Sequence, residues 1–291
     1  MAPLLTETLG LGGSPTLLGN QRVVERRAKG ETIYHMGFGE SPFPTPERLQ
    51  QALKREAHHK HYINTAGLPA LREAIAAYYS DKYGLNPLDY DVIIAPGSKL
   101  FIYAMQMAYE GDLILPVPSW VSYEPQARLI GQRVIKVPAM LDDEGYHLDT
   151  TQLKTAIDNA RANGLNPSKI ILNSPNNLTG LRLSDKDQQE IATLCRREDI
   201  IIIADDIYGL VNFDGHHNPI ARHAPEQTVI SSALSKHLSL GGWRLGFGLI
   251  PKALPGLYDS LCQIASETWS AVAAPIQYAA IDPFSGHDVL E

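Results

Sequence analysis

A lysine, a serine and an arginine lie close together near residue 240, and they suggest chemistry on a phosphorylated carbonyl compound. Lys236 follows Ser235 directly, and Arg244 stands in the glycine-rich stretch 241–246. A serine hydroxyl and an arginine fork suit a phosphate dianion, and a lysine beside that anion is suited to forming a Schiff base. The Ser-x-x-Lys pair of β-lactamase-type enzymes is excluded, because the position of its serine holds Ala233.

A second candidate phosphate site follows an apolar run at residues 92–95. Gly97-Ser98-Lys99 leads there into a helix, and the free N–H groups of a helix N-terminus attract phosphate. A simple helix cap is the alternative interpretation. The sequence has no P-loop motif, and the dinucleotide-binding motif G-x-G-x-x-G fails, because after Gly37-Phe38-Gly39 its last position holds Pro42.

Polar residues also follow two other apolar runs. Asp205 and Tyr208 come after residues 200–204, and Asn177 follows the run that ends at Leu172. A carboxylate beside an apolar core needs a partner, because burying it alone is costly. Taken singly, each of these residues is also a normal turn or cap residue.

The elements that must position these residues alternate between strand and helix along the chain. Because the strands are apolar throughout, we expect a mostly parallel sheet whose two faces are both covered by helices. Ligands bind such sheets beyond the carboxyl ends of the strands. Strands are predicted at residues 92–95, 113–115, 134–137, 169–172, 200–204, 229–232 and 245–250. Helices are predicted at residues 45–59 (capped by Thr45), 69–83, 98–109, 120–130, 151–162, 185–197, 254–266 and 275–281, with another around 20–29.

Composition excludes several classes of protein. The 291 residues include 25 Lys and Arg against 32 Asp and Glu, a net charge of −7, which gives no electrostatic footprint for nucleic acid or anionic lipid. The apolar runs are too short to span a bilayer. Two cysteines cannot build a disulfide framework, and the N-terminus has no basic region typical of a signal peptide. We therefore expect a cytoplasmic protein with no nucleic-acid or membrane partner.

Taken in order, these residues resemble the motifs of the aspartate aminotransferase family, the class I/II aminotransferases of fold type I that use pyridoxal 5′-phosphate (PLP). The resemblance implies an α/β fold, with a large PLP-dependent transferase domain, a mostly parallel central sheet of about seven strands and helices on both faces. The matching motifs are Ser14-Pro15-Thr16, Gly37-x-Gly39-Glu40-x-Pro42-Phe43-x-Thr45-Pro46, Tyr62, Gly67-Leu68-Pro69-x-Leu71-Arg72, Gly97-Ser98-Lys99, Pro118-x-Trp120, Asn177-x-Thr179-Gly180, Asp205-x-x-Tyr208 and Ser235-Lys236 with Gly242-x-Arg244-x-Gly246.

The resemblance assigns catalytic roles to three residues. Lys236 is expected to form the Schiff base with PLP and to move the proton during transfer of an amino group between an amino acid and a 2-oxo acid. Asp205 is expected to keep the pyridine nitrogen protonated. Tyr208 is expected to bind the phenolate oxygen, together with Asn177.

Binding roles follow from the same resemblance. Trp120 is expected to stack on the cofactor ring, although a core aromatic is its alternative interpretation. Gly39 is expected to offer its N–H to the substrate carboxylate, with Trp120 and Asn177 also contacting substrate. The phosphate is expected to be bound by Gly97, Ser98, Lys99, Ser235 and Arg244. Tyr62 is expected to reach the phosphate of a neighbouring subunit, which implies a homodimer with shared active sites.

The resemblance also sets an expectation for the domains and exposes two departures. Residues 1–44 are expected to form an arm and part of a small domain, and residues 45–291 the large PLP-binding domain. The C-terminal small domain, with its carboxylate-pairing arginine, is expected to be absent. Ala233 stands where members usually have a serine, and Leu178 replaces the proline after Asn177.

Three alternatives stay open at this point. The same fold serves β-lyases and other PLP reactions, because the cofactor supplies the electron sink for all of them. A non-catalytic module that only binds PLP is the second alternative. A metal site is the third, at His58, His59 and His61 or at His216-His217, but surface histidines account for both clusters.

Overall fold

The computed structural model describes residues 4–37, 39–142, 145–213, 215 and 217–286. A hairpin is formed by β4 (Met140–Asp142) and β5 (Gly145–His147). The strands of the central sheet are β1 (Tyr90–Ala95), β2 (Asp112–Val117), β3 (Val134–Pro138), β6 (Pro167–Asn173), β7 (Ile201–Asp205), β8 (Thr228–Ala233) and β9 (Gly246–Pro251). They form a seven-stranded sheet in the order β1-β9-β8-β7-β6-β2-β3.

The helices follow the alternation that the sequence predicts. They are α1 (Leu5–Thr8), α2 (Pro15–Ala28), α3 (Glu47–Glu56), α4 (Pro69–Tyr83), α5 (Ser98–Ala108), α6 (Tyr123–Leu129), α7 (Thr150–Ala162), α8 (Asp185–Arg197), α9 (Leu257–Thr268), α10 (Ala274–Ala279) and α11 (Ile281–Gly286). Short 3-10 turns are found at Pro87–Asp89, Ile220–Arg222 and Gly241–Trp243.

Most neighbouring strands of the sheet are parallel, as predicted. The pairs β2–β3, β2–β6, β6–β7 and β7–β8 are parallel, whereas β9 pairs antiparallel with both β1 and β8. Every residue of β6, β7, β8 and β9 is buried, because both faces are covered. The predicted α/β architecture is therefore confirmed.

Consecutive strand residues contribute to different cores, which shows how the two faces are covered. Ile93 belongs to a cluster beneath α5 and α9, whereas Ile94 belongs to a cluster beneath α4. In β7, Ile203 joins the first of these clusters, and Ile202 joins a third cluster beneath α7 and α8. This alternation is the two-residue period of a strand.

Several local predictions are corrected by the structure. Thr45 is not the N-cap of α3: that position belongs to Pro46, and the Thr45 hydroxyl donates a hydrogen bond to the Ser239 carbonyl at 3.3 Å. Trp120 precedes α6, because a helix that began there would place Pro125 in its interior, where it removes a hydrogen bond. The helix predicted at residues 275–281 ends at Ala279, and a separate helix, α11, begins at Ile281 with Pro283 in its first turn, where the missing N–H costs no hydrogen bond.

In the part of the chain that the structure describes, every helix is too short or too polar to cross a membrane.

Candidate active site

The predicted site residues gather at the carboxyl edge of the parallel strands. Asp205 is the last residue of β7, and Asn173 ends the neighbouring β6. Lys236 lies in the loop after β8, and α5 begins directly after the loop that follows β1. This edge is where parallel sheets bind ligands, because the loops there lead into helix N-termini.

Asp205 is a buried carboxylate whose two oxygens both accept hydrogen bonds. Only 3% of the surface of Asp205 is exposed. The Tyr123 hydroxyl donates to Oδ2 at 2.6 Å, and the Ile207 N–H donates to Oδ1 at 3.3 Å. Burial raises the pKa of this carboxyl to about 6, and the two hydrogen bonds oppose that shift. The Asn173 side chain donates to the Asp205 carbonyl at 2.9 Å and so fixes the strand end.

Lys236 lies beneath the N-terminal segment of the chain. Its ammonium donates a hydrogen bond to the Gly39 carbonyl and stands 5.6 Å from the centre of the Tyr208 ring. A Cβ placed on Gly39 would lie 3.5 Å from Lys236 Nζ and 3.6 Å from the Tyr208 hydroxyl, so these three residues surround one space. Burial lowers the pKa of Lys236, and the negative charges of Asp205 and Glu40 oppose the shift.

Tyr208 and Asn177, which are both expected to bind the same ring oxygen, lie in contact. The Asn177 amide donates to the Tyr208 hydroxyl at 2.6 Å. The Asn177 N–H donates in turn to Asn173 Oδ1 at 2.7 Å, which ties this loop to the end of β6. Burial raises the pKa of Tyr208, and the hydrogen bond from Asn177 opposes the shift. The hydroxyl is therefore held neutral at the mouth of the site.

Arg244 and the start of α5 form a second, cationic part of the site. The Arg244 side chain donates to the Pro96 carbonyl at 3.2 Å and to the Gly241 carbonyl at 2.9 Å. Gly97 has a φ of 87°, in the left-handed region that favours glycine, and a Cβ there would meet Arg244 Nη2 at 2.2 Å. A Cβ on Gly246 would lie 2.4 Å from Ser98 N. The absence of both side chains leaves room for an arginine beside free helix N–H groups.

Lys99, the second residue of α5, lies close to Trp120. The Lys99 ammonium lies 5.3 Å from the centre of the Trp120 ring. Burial lowers the pKa of Lys99, and the charge of Arg244 lowers it further. Trp120 packs only partly into the core, so the interpretation of Trp120 as a purely core aromatic is not supported.

Some predicted residues stand apart from these contacts. Tyr62 is 98% exposed, and Leu178 is also exposed. Ser235 is half-buried in the loop that carries Lys236. Ala233 is fully buried at the end of β8.

In the first histidine cluster, His59 makes packing and ion-pair contacts. The His59 ring stacks on Tyr278 with 3.6 Å between centroids, and its Nε2 lies 2.9 Å from a Glu56 oxygen. Among the described residues, no group of three or more His, Cys, Asp or Glu side chains could hold a metal ion. His216 lies outside the described residues.

Sequence reasoning missed Tyr123. Its phenol reaches Asp205 only because α6 and β7 meet in the folded chain, and the side chain is buried against Phe101 and Ala127. The one local signal is its place near Trp120, whose ring it contacts edge-on at 5.2 Å.

The two parts of the site, together with Lys236, suit one kind of ligand. A buried carboxylate can hold a protonated ring nitrogen, and an arginine beside a helix N-terminus can hold a phosphate. The lysine with a lowered pKa suits a carbonyl group. Because Gly97 and Gly246 have no side chains, a phosphate beside Arg244 could contact the backbone there directly.

Comparisons with known proteins agree with this arrangement. The family model described as aminotransferase class I and II matches residues 31–288. The chain is 29% identical over 298 residues to the asparagine–oxo-acid transaminase of Streptococcus mutans, which covers 99% of this chain and 73% of that protein. It is 33% identical over 293 residues to the aspartate aminotransferase of Geobacillus stearothermophilus, which covers 97% of this chain and 72% of that enzyme.

Solved structures give the same result for the fold. The structure of aspartate aminotransferase from Thermus thermophilus with maleate superposes with a TM-score of 0.89 at 26% identity, covering 100% of this chain and 75% of that chain. N-succinyldiaminopimelate aminotransferase from Mycobacterium tuberculosis shares the fold with a TM-score of 0.84 at 23% identity, covering 99% of this chain and 73% of that chain.

Proposed function

Because the chain belongs to the class I and II aminotransferase family, it is an aminotransferase, and we propose that its described site binds PLP. The observation that carries this proposal is that one edge of the sheet brings Lys236 together with a buried carboxylate and with a cationic cup, which is formed by Arg244, Gly97 and the first residues of α5. Asp205, on one side, and Arg244 with Gly97, on the other, match the two ends of the cofactor. When bound, PLP supplies an aldehyde that reacts with amines and a ring that accepts electrons.

Each part of the site has a distinct task in this proposal. Asp205 holds a proton on the ring nitrogen, and Asn177 with Tyr208 binds the ring oxygen. The N–H groups that begin α5 bind the phosphate, with the Arg244 guanidinium and the Ser98 and Ser235 hydroxyls. Trp120 covers one ring face, and the nearby Lys99 ammonium adds positive charge.

Lys236 is the residue that moves protons. Its amine loses its charge more readily than an exposed lysine, because burial lowers its pKa. A neutral amine can both bind the cofactor covalently and take a proton from the substrate Cα. The Gly39 carbonyl, which accepts a hydrogen bond from Nζ, orients the lysine, and the Gly39 N–H is offered to the substrate carboxylate.

Substrate choice is inferred from the named relatives. The relatives described above include an aspartate aminotransferase and an asparagine–oxo-acid transaminase. We infer that aspartate and asparagine are the amino donors to test first, with a 2-oxo acid as the acceptor. The β-lyase and non-catalytic alternatives are not favoured, because these relatives are named as transaminases.

A homodimer and a cytoplasmic location belong to the same proposal. Exposed aromatic and apolar side chains support the dimer, since single chains seldom leave so many uncovered in one segment. They lie between residues 34 and 62 and are Tyr34, Met36, Phe43 and Tyr62. In the dimer Tyr62 contacts the phosphate in the partner's site. Sedimentation of the purified protein measures this directly, and a monomer at working concentrations would contradict it.

The experiment that tests the function follows both half-reactions. The purified protein is mixed with PLP and aspartate, and oxaloacetate is measured. Then 2-oxoglutarate is added, and glutamate is measured. We expect both products and a visible absorption band that changes with each addition. Release of ammonia and pyruvate from β-chloroalanine, which carries a leaving group on Cβ, without amination of the acceptor would identify a lyase, and the absence of any band would contradict PLP binding.

A further inference from the structure

We propose that Tyr123 is a positioning residue, whose hydroxyl holds the Asp205 carboxylate in its charged form and in one orientation. The proposal rests on the proposed function, because Asp205 matters for catalysis only if it binds the cofactor ring. The hydrogen bond itself joins two side chains of this protein and does not depend on the cofactor.

The geometry allows little freedom to either side chain. Tyr123 Oη donates to Asp205 Oδ2 at 2.6 Å, and the two residues are 1% and 3% exposed. The Tyr123 ring is fixed by the buried core beneath α5 and by an edge-on contact with Trp120 at 76° between the ring planes. A phenol held this firmly fixes the direction of the carboxylate that it contacts.

Three groups favour the charged form of Asp205, and among them Tyr123 supplies the side-chain hydrogen bond. The other oxygen accepts from the Ile207 backbone. Burial and the charge of Asp206 favour the neutral carboxyl, whereas Lys236 favours the carboxylate. Tyr208, which also faces this site, is neutral because burial raises its pKa. Since hydrogen bonds to a charged acceptor are short and strong, loss of the hydroxyl leaves burial less opposed.

The consequence concerns the ring nitrogen. A carboxyl that has taken up its own proton cannot attract a proton to a neighbouring nitrogen by charge. Tyr123 therefore keeps Asp205 suited to its proposed role at pH values where burial alone would neutralise it. Lys236 changes its partner when it binds the cofactor, whereas Tyr123 contacts Asp205 from inside the protein.

The first test uses cofactor-free protein. The variant Tyr123→Phe keeps the ring and removes the hydroxyl, and Tyr90→Phe is the matched control. Tyr90 is also buried, and its hydroxyl donates to the Pro225 carbonyl at 3.1 Å, at the start of β1 and away from the carboxyl edge. Titration of the Asp205 carboxyl carbon is followed by 13C NMR, with its signal assigned by its loss in Asp205→Asn.

We expect the titration midpoint of Asp205 to rise by about one to two pH units in Tyr123→Phe and to stay unchanged in Tyr90→Phe. Incorporation of 3-fluorotyrosine at position 123 leaves the fold intact and gives a more acidic hydroxyl, which should lower the midpoint. The same titration midpoint in the unaltered protein, in Tyr123→Phe and in the 3-fluorotyrosine protein would overturn the proposal.

The second test adds PLP and separates this proposal from the proposed function. The dissociation constant is measured by quenching of tryptophan fluorescence between pH 6 and pH 9. In Tyr123→Phe binding should weaken about tenfold near neutral pH and approach that of the parent protein at the alkaline end. If neither protein binds PLP, the proposed function fails while the Asp205 titration still decides the role of Tyr123. Equal weakening at every pH would contradict an effect through the charge of Asp205.

Discussion

The guanidinium of Arg244 occupies the space that a side chain on Gly97 would need. A Cβ on Gly97 would lie 2.2 Å from Arg244 Nη2 and 2.9 Å from its Cζ. Gly97 and Arg244 are far apart in the chain but fit each other in shape. Gly97 has no side chain, and the long side chain of Arg244 fills the space that this leaves. Both also have left-handed backbone, with φ of 87° and 55°.

We predict that Gly97→Ala displaces Arg244 and weakens PLP binding by about 10- to 100-fold, because a charge-assisted hydrogen bond is lost. Gly164→Ala is the matched control, since Gly164 has a φ of 73° but nothing within 4 Å of its Cβ position. Gly97→Ala should lose more stability than the control, because its backbone (φ 87°, ψ 155°) suits glycine alone and its Cβ would meet Arg244, and only Gly97→Ala should lose affinity. Equal dissociation constants for the two variants, measured by fluorescence, would contradict this account of the cup.

Borohydride reduction of the protein with PLP should place the label on Lys236. Lys99 is the competing amine at the site, because burial lowers its pKa as well. Peptide mass spectrometry identifies the modified residue. Lys236→Arg should remove the label and reduce turnover by at least about 10²-fold, the range typical of a positioned acid–base group. A label on Lys99 in the unaltered protein would rule out the assignment.

Asp205→Asn should stabilise the cofactor-free protein more at pH 7.5 than at pH 4.5. The folded pKa of Asp205 is about 6 and its ordinary value is 3.8. In that window the folded protein keeps a proton that the unfolded chain releases, so the parent protein loses stability as the pH rises. The asparagine variant lacks this loss, which amounts to at most about 3 kcal/mol.

Urea unfolding of both proteins at the two pH values measures the difference. His237 titrates with the opposite sign, because burial lowers its pKa to about 4, but it does so in both proteins and cancels. A stability difference that does not change with pH would show that Asp205 is already charged at pH 4.5 in the folded, cofactor-free protein.

Ala233→Ser should tighten PLP binding by about tenfold through one added hydrogen bond to the phosphate. Ser231 lies opposite Asp205 in the parallel register, so the alternation of the strand places Ala233 on the face of Asp205. Ser232 faces the other way, into a cavity that Tyr79 and Asp206 also line. Ser232→Ala should therefore leave the affinity unchanged. No gain from Ala233→Ser would mean that the cup is complete without that hydroxyl.

The strands and two of the helices could be predicted from the sequence for clear physical reasons. Runs such as residues 200–204 are apolar at every position, which is characteristic of a strand covered on both faces. The predicted bounds of α4 and α8 match the structure. In α8 a capping box of Ser184 and Asp187 marks the start, and in α4 Gly84 marks the end with a left-handed backbone.

The elements that were missed depend on contacts made only in the fold. The Thr45 hydroxyl bonds to Ser239 across the site rather than to its own helix. Tyr123 reaches Asp205 from a part of the chain 82 residues away. The hairpin of β4 and β5 has strands of three residues each, too short for a periodic signal. Pairings of this kind carry no local signal, because the same residue types occur in ordinary loops.

The position of β9 between β1 and β8 sets the order in which the protein can be assembled during synthesis. β9 is the last strand of the sheet to leave the ribosome, and it pairs with β1, the first, along its whole length from Ala95–Gly246 to Tyr90–Pro251. Gly97 follows β1 and Arg244 precedes β9, so a nascent chain that lacks β9 cannot bring the two together. A ribosome-bound chain therefore keeps the proposed phosphate-binding part of the site incomplete until β9 has been made.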